Sequence, residues 1–544
     1  SEVSSNQVLL LEAGRDTPPG NEGDEVRDTF YRAVYNRRNT WPGITAQWQP
    51  LPHNDADSVP AYPYDQGRVM GGGSSINSMV SIRGMPGDFE EWEAAGAKGW
   101  GWNEVISYYK KLETDTDFGD DPGHGDDGPI SIRRHKRSDW PGFCKAIASE
   151  LHRRGYRYVK DMNIEPRDGV CSVALSSTQS LRQSTAISYL TAEVRARDNL
   201  EIRSDCYAER LVFDGMRCVG VTIRSSGVAE TLNSREVVVS GGSLQSPALL
   251  MRSGIGSAAH LKEHGIDMVA DRAGVGQNLH EHPTCILAAH LRYNGMQDAG
   301  LRAAGNMALR HSSRVDGCPP HDFYTAIANK VSWHPLGTRI GGAIVAIVKP
   351  FSRGAVTLKS ADASVNPRVA FHVLEDERDM TRMKIGLRMF YEIFRSPAVR
   401  EMTTETFPAA FSARVRELNQ ETRTNWWKSF AGSLLMDLPA PFRRATVRAL
   451  IAPGPALGEI FSTDDTLEAW ISENCRGFFH PVGTCRFGEV SDPMSVVDPA
   501  GRVHGVQGLR IVDASVMPTI TRANTNLTVI MIAEKIADMI KDGM

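Results

Sequence analysis

The sequence predicts an α/β protein built around buried parallel strands. Three observations carry this. Val8-Leu9-Leu10-Leu11 is a short, continuously apolar run ending at Glu12, the pattern of a strand buried on both faces of a parallel sheet. Leu509 to Ser515 is a second such run. It is followed by an amphipathic helix, with Val529, Ile532, Ala533, Ile536 and Ile540 on one side and Glu534, Lys535, Asp538 and Lys541 on the other. The chain has 544 residues, 41% hydrophobic and 23% charged, which is room for about three to four domain-sized units with a large core. Lys+Arg is 61 against 65 Asp+Glu, a net charge of −4, so the basic excess of a nucleic-acid binder is missing. No apolar run reaches the ~18 residues of a membrane span. Eight cysteines without a C-x-x-C pair argue against a disulfide framework or zinc knuckle.

Taken in chain order, Glu12 comes first. In dinucleotide-binding folds an acid at a strand end accepts from a ribose hydroxyl, about 20 residues after a glycine-rich loop. Gly67 to Asn77 follows, with Gly71-Gly72-Gly73-Ser74-Ser75 at its centre. Such a run lets backbone approach a ligand and offers N–H and hydroxyl donors; the plain alternative is a linker. Arg235 to Gly242 reads as a strand entering a turn, and Ser246-Pro247 as a helix start ending at Gly254. Gly254 to Ala259 fits G-x-G-x-x-A but follows a helix, so it is not a nucleotide loop. His280-Glu281-His282 could suggest a metal, but no third ligand cluster is near in sequence.

Residues 290 to 465 change character. Ile340 to Val348 reads as a strand and Met380 to Phe394 as a helix. Trp426 to Ile451 mixes aromatics with Arg443, Arg444 and Arg448, behind Arg423. It reads as a helix with a solvated basic face packing on its own domain, the other reading being a peripheral membrane helix. His480 sits between Phe478-Phe479 and Pro481, where an imidazole can serve as a base; a structural histidine is the bland reading. Asn524-Thr525-Asn526 opens the C-terminal helix, whose N–H groups and dipole suit an anionic ring such as a reduced flavin.

With these residues in place, the chain resembles the glucose–methanol–choline (GMC) flavoprotein oxidoreductases over essentially its whole length. Gly242 to Gly256 matches the family's second motif at every fixed position. Gly67 to Glu90 matches the first, with departures at Met70 and Ser81, and Asn278-Leu279 with His282 matches an N-L-x-[DE]-H element. The resemblance implies a doubly wound FAD-binding domain from residues 1–85, 160–290 and 466–544. It also implies a substrate domain with an antiparallel sheet, which together with connecting segments takes 86–159 and 291–465. Glu12, with Ala13 beside it, is expected at the adenosine ribose. Gly71, Gly72, Gly73, Ser74, Ser75 and Asn77, with Met79, are expected along the pyrophosphate and isoalloxazine, and Ala208 at the adenine edge. Asp513 and Ala514 are expected near the phosphates and ribityl chain, and Asn524 with Thr525 and Asn526 at the pyrimidine side. His480 and Asn524 match the active-site pair.

Ile76 stands where members with covalent FAD carry histidine, so non-covalent FAD is expected. Thr528 stands where many members have proline, which leaves the start of the last helix open. The implied reaction is oxidation of a primary aryl or alkyl alcohol, with His480 as base and hydride passing to flavin N5. Oxygen or a quinone-like acceptor is expected to take the electrons. A choline-type dehydrogenase, a hydroxynitrile lyase and an inactive fragment are the alternatives. No metal, no nucleic acid and a cytoplasmic location are expected. The distance to Glu12 also places the glycine-rich loop upstream of Ser1, which predicts weak or no FAD binding by this chain as it stands.

Overall fold

A computed structural model describes residues 1–52, 55–409 and 412–544. Val8–Leu11 is a strand and pairs in parallel with Leu200–Arg203. Its neighbour's continuation, Cys206–Asp214, opens a three-stranded antiparallel meander with Arg217–Ser225 and Val228–Asn233. Val237–Val239 pairs in parallel with Leu509–Ile511, whose residues are all buried as expected. Val8–Leu11 differs from expectation: it has one strand neighbour, so Leu9 remains 36% exposed.

A seven-stranded antiparallel sheet forms the second layer system. Its central strands are Pro283–Leu291, Ile340–Ile347, Phe323–Ala328 and Gly305–His311. Side chains alternate between its faces with period two. Cys285, Leu287, Leu309 and Val345 enter one of the two large cores, beneath the helix Glu377–Arg395. Ala308, Tyr324 and Ala346 point the other way, into a small cluster with Met79, Ala523 and the partly buried Phe478. The sheet therefore has one face for stability and one for a site.

The expected division of the chain shifts where packing decides it. The helices Pro86–Ala94 and Trp102–Lys111, grouped above with the substrate domain, bury Phe89, Trp92, Val105 and Tyr109 in the same core as Ile511, Leu527 and Ile536. The strand Gly169–Ser172, grouped with the FAD-binding domain, is hydrogen-bonded into the large sheet.

The helix expected to start at Ser246 starts at Gly242 and runs to Arg252, with Pro247 inside it. Proline leaves the carbonyl four residues earlier without its helical donor. That carbonyl, of Ser243, accepts from the Thr484 hydroxyl at 2.8 Å. The last helix starts at Thr525, and Thr528 is buried with its hydroxyl 2.8 Å from that of Tyr109. A threonine here replaces proline's conformational help with a tertiary hydrogen bond.

Trp426–Ile451 also departs from expectation. The helix Arg423–Leu435 buries Asn425, Ser429, Gly432 and Ser433 and exposes Trp427, Phe430 and Leu434. Its inner face is the polar one. No helix among the described residues is long and apolar enough to cross a membrane.

Candidate active site

The glycine-rich loop folds as one turn of 3-10 helix, Gly72–Ser75, entered through Gly71 in the left-handed region at φ 85°. A Cβ at Gly71 would meet the Ser75 hydroxyl at 2.5 Å, so the turn requires glycine there. At Gly72 and Gly73 a Cβ would meet nothing within 4 Å. The loop thus packs tightly on its inner side and is open on its outer side. Ser75 bonds the Met70 carbonyl at 2.7 Å and Ser74 the Gly71 carbonyl at 2.6 Å, which fixes the turn. Asn77 Oδ1 accepts from Met79 N–H and from Arg182 Nη1, both at 2.9 Å. Met79 is held at φ 62°, a strained value for a side chain of its size.

Glu12 closes the strand Val8–Leu11 beside this loop: Met70 N–H bonds the Arg15 carbonyl and Arg68 Nε the Ala13 carbonyl. The Glu12 carboxylate accepts from Gly14 N–H at 2.7 Å, yet burial pushes it up to about 7. The Glu12 carbonyl accepts from Cys206 N–H, which sets the start of the strand carrying Ala208 next to it. These parts fit FAD: an open glycine cradle, a carboxylate at the strand end, and a buried Arg182 beneath the loop. The Arg182 Nε and Nη2 find no hydrogen-bond partner among the described residues. Nothing in its local sequence signalled Arg182, since a lone arginine carries no pattern.

Asp513 and Ala514 stand elsewhere in the design than a side-chain contact with a cofactor would require. Both Asp513 oxygens are engaged by protein: Gly242 N–H at 2.8 Å, the Ser246 hydroxyl at 2.5 Å, and Ser515 N–H at 2.8 Å. Asp513 therefore braces the helix at Gly242 against the last strand, and only its backbone is left for a ligand. The Ala514 carbonyl accepts from Gly483 N–H and so positions the His480 loop.

His480 and Asn524 meet. Asn524 Nδ2 lies 3.2 Å from His480 Nε2. Asn524 is the N-cap residue of the last helix but makes no side-chain cap bond, so its amide serves the site and not the helix. Thr525 is buried in the first turn, while Asn526 is partly exposed. Behind His480, its Nδ1 lies 2.9 Å from His282 Nδ1, and His282 Nε2 lies 3.1 Å from the Thr521 carbonyl. A carbonyl only accepts, so His282 Nε2 carries hydrogen. Burial holds His282 well below its ordinary value, so it is neutral and its Nδ1 is bare. His480 Nδ1 must then donate, which leaves the His480 Nε2 lone pair facing Asn524. Burial likewise lowers His480 to about 3, although the ring is partly exposed on the site side.

Glu281 sets the loop geometry. It accepts from the Tyr64 hydroxyl at 2.5 Å and from His282, Phe478 and His480 N–H at 2.8 to 3.2 Å. Burial raises it to about 7. Phe479 takes φ 63° and Asn278 φ 61°, so left-handed residues flank the site on two segments. His280 Nδ1 faces the Asn278 carbonyl at 2.9 Å, so the His280-Glu281-His282 run is committed to loop and relay. Asp88 holds the approach to Asn524, accepting from Arg522 N–H at 2.9 Å and Nη1 at 2.7 Å. Phe478 lies edge-on to His480 at 5.0 Å and Tyr64 stacks on Phe479 at 5.2 Å.

An α/β cofactor domain, an antiparallel sheet with one face turned to Met79 and Phe478, and a histidine–asparagine pair at a helix N-terminus define a flavin-dependent oxidoreductase. The chain belongs to the GMC oxidoreductase family, whose N- and C-terminal models match residues 59–284 and 350–533. It is 37% identical to 5-(hydroxymethyl)furfural oxidase of Methylovorus sp. (strain MP688), across 98% of this chain and 94% of that protein. It is 33% identical to the oxygen-dependent choline dehydrogenase of Brucella ovis, across 90% and 84%. Among solved structures it shares the fold of pyridoxine 4-oxidase from Mesorbium loti, with TM-score 0.79 over 99% and 95% of the two chains at 22% identity. A fungal aryl-alcohol oxidase aligns with TM-score 0.71 over 99% and 95% at 20% identity.

Proposed function

We propose that this chain oxidises a primary alcohol to the aldehyde, with an aromatic or furanic alcohol as the preferred class and oxygen as the final acceptor. One observation carries the reading: the Thr521–His282–His480–Asn524 chain leaves a single basic lone pair beside an amide donor. A substrate hydroxyl placed between them donates to His480 Nε2 and accepts from Asn524 Nδ2. His480 then takes the hydroxyl proton at Nε2, while its Nδ1 keeps its own hydrogen, donated to His282 Nδ1 throughout. Asn524 stabilises the oxygen as negative charge develops on it. Phe478, Phe479 and Tyr324 exclude water from this oxygen and offer flat surfaces to a ring. Non-covalent FAD, held by the Gly71–Ser75 loop, Glu12 and the last helix, supplies the two-electron acceptor for the carbinol hydride.

The relatives named as oxidases support oxygen as acceptor. Choline fits less well. Without a free anion beside it, a quaternary ammonium would rest on the aromatic rings alone. The nearby acid, Glu281, has its oxygens engaged by Tyr64 and three backbone N–H groups.

The FAD-loaded enzyme should be mixed anaerobically with benzylic, furanic and aliphatic alcohols and with choline, then exposed to air. Aromatic alcohols should bleach the flavin fastest, and air should give one peroxide per aldehyde. A flavin that stays oxidised with every alcohol, while a cyanohydrin is cleaved, would replace this reading with a lyase.

A further inference from the structure

The hairpin Arg423–Ile451 has its polarity reversed. Asn425 is buried and bonds the carbonyls of Glu417 and Gln420 at 2.7 and 3.0 Å. Ser429 bonds His334 Nδ1 at 2.6 Å and accepts Leu336 N–H at 2.8 Å. Arg339 reaches the Ser433 carbonyl and hydroxyl at 3.2 Å. The helix is therefore tied to the body of the protein by hydrogen bonds. Its aromatic side is turned out: Trp427 is 63% exposed, Phe442 61% and Leu434 54%. Seven large apolar side chains are exposed between Trp426 and Phe442, and Trp426 stacks on Phe430 at 5.4 Å. Single exposed apolar residues are ordinary, but a contiguous set marks a contact surface.

Charge identifies the occupant. Residues 413–451 carry seven cations and three acids, in a chain whose net charge is −4. Two of those acids are neutralised, Glu421 by Arg32 and Asp437 by Arg339, and three of the cations are paired as well, Arg416 with Asp65 and both Arg443 and Arg444 with Glu405. Arg423, Lys428 and Arg448 are exposed and have no ion pair among the described residues. A second copy docked about a twofold axis would set this cationic rim against itself. An anionic surface would not. Tryptophan and phenylalanine with flanking cations are the composition that suits a lipid headgroup boundary.

We propose that this hairpin is a docking surface for an anionic lipid bilayer, with Trp427, Phe430 and Leu434 at the headgroup boundary and Arg423, Lys428 and Arg448 against lipid phosphates. The test is sedimentation with vesicles of phosphatidylcholine alone or mixed equally with phosphatidylglycerol. Two triple variants are compared: Trp427→Ser/Phe430→Ser/Leu434→Ser and Arg423→Gln/Lys428→Gln/Arg448→Gln. All six residues are exposed, and unchanged alcohol oxidation confirms that both variants fold. The wild type should bind the anionic vesicles and be released by salt. Each variant should bind at least about tenfold more weakly, one through lost apolar insertion and the other through lost attraction to the lipid phosphates. Three results overturn the proposal: no sedimentation of the wild type, equal binding to both vesicle types, or wild-type binding by both variants. A vesicle-free dimer that the apolar variant dissociates would overturn it in favour of self-association.

Discussion

A neutral imidazole has one donor and one acceptor, so its usefulness as a base depends on where its hydrogen is held. At His480 that choice is made two hydrogen bonds away, at the Thr521 carbonyl. The Thr521 carbonyl holds His282 in one tautomer, and His282 holds His480 in the other. Replacing His282 by leucine removes the acceptor and frees the His480 hydrogen to move to Nε2. Turnover of the FAD-loaded variant should fall roughly 10²-fold, at the low end of what general-base catalysis contributes. His282→Gln offers both an acceptor and a donor and should recover part of the rate, an outcome that simple loss of packing would not give. Equal rates for His282→Leu and wild type would remove the relay. The lowered His480 value also has a sign. Protonation removes the acceptor, so the acid limb of kcat/KM should lie well below the ordinary histidine range near 6.5. An acid limb at or above that range would contradict the lowered value.

Helix ends and strand ends carry most of the site, and they differed in how legible they were. Val8–Leu11, Leu509–Ile511 and the last helix were readable because buried strands and amphipathic helices leave a pattern in hydrophobicity. The glycine loop and the His480–Asn524 pair were readable through motifs. Arg182, Tyr64 and Asp88 were not, because these partners lie 108 residues or more away in sequence. The polarity of Arg423–Leu435 was misread for a related reason: its inner face is decided by the loop carrying His334 and Arg339, which hydrophobic spacing does not report. Thr484 shows what such distant partners contribute. It supplies the hydrogen that Pro247 denies to the Ser243 carbonyl, and it is fully buried. Thr484→Val should destabilise the protein by about 1–3 kcal/mol, the cost of an unpaired buried acceptor. Asn524→Ala should leave thermal stability nearly unchanged, because no cap bond is lost, while lowering turnover. A melting curve with a turnover assay checks both, and a large loss of stability in Asn524→Ala would refute its assignment to the site.

At the scale of the molecule, a buried charge cluster joins segments of the chain far apart in sequence. Glu113, Asp115 and His124 converge closely enough to suggest a metal, but Arg83 pairs with Glu113 and Arg134 with Asp115 and Asp161. The cations are already supplied by the chain. Burial opposes the charge on His124, yet hydrogen bonds to Asp161 and Glu113 outweigh it and raise the imidazole to about 9. A raised folded value means stability that is complete below about 6.5 and lost as pH rises through 9. The melting temperature of the wild type should therefore fall between pH 7 and pH 10 more steeply than that of His124→Gln. Parallel curves would show that His124 is not charged in the fold.

All of these layers serve the act proposed for the site, the removal of a hydroxyl proton at His480 Nε2. Anaerobic stopped-flow reduction of the FAD-loaded enzyme by an aryl alcohol tests it without interference from reoxidation. His480→Ala should retain the flavin and reduce it about 10²–10⁴-fold more slowly than wild type. A flavin-loaded His480→Ala that is reduced at the wild-type rate would contradict the account at its centre.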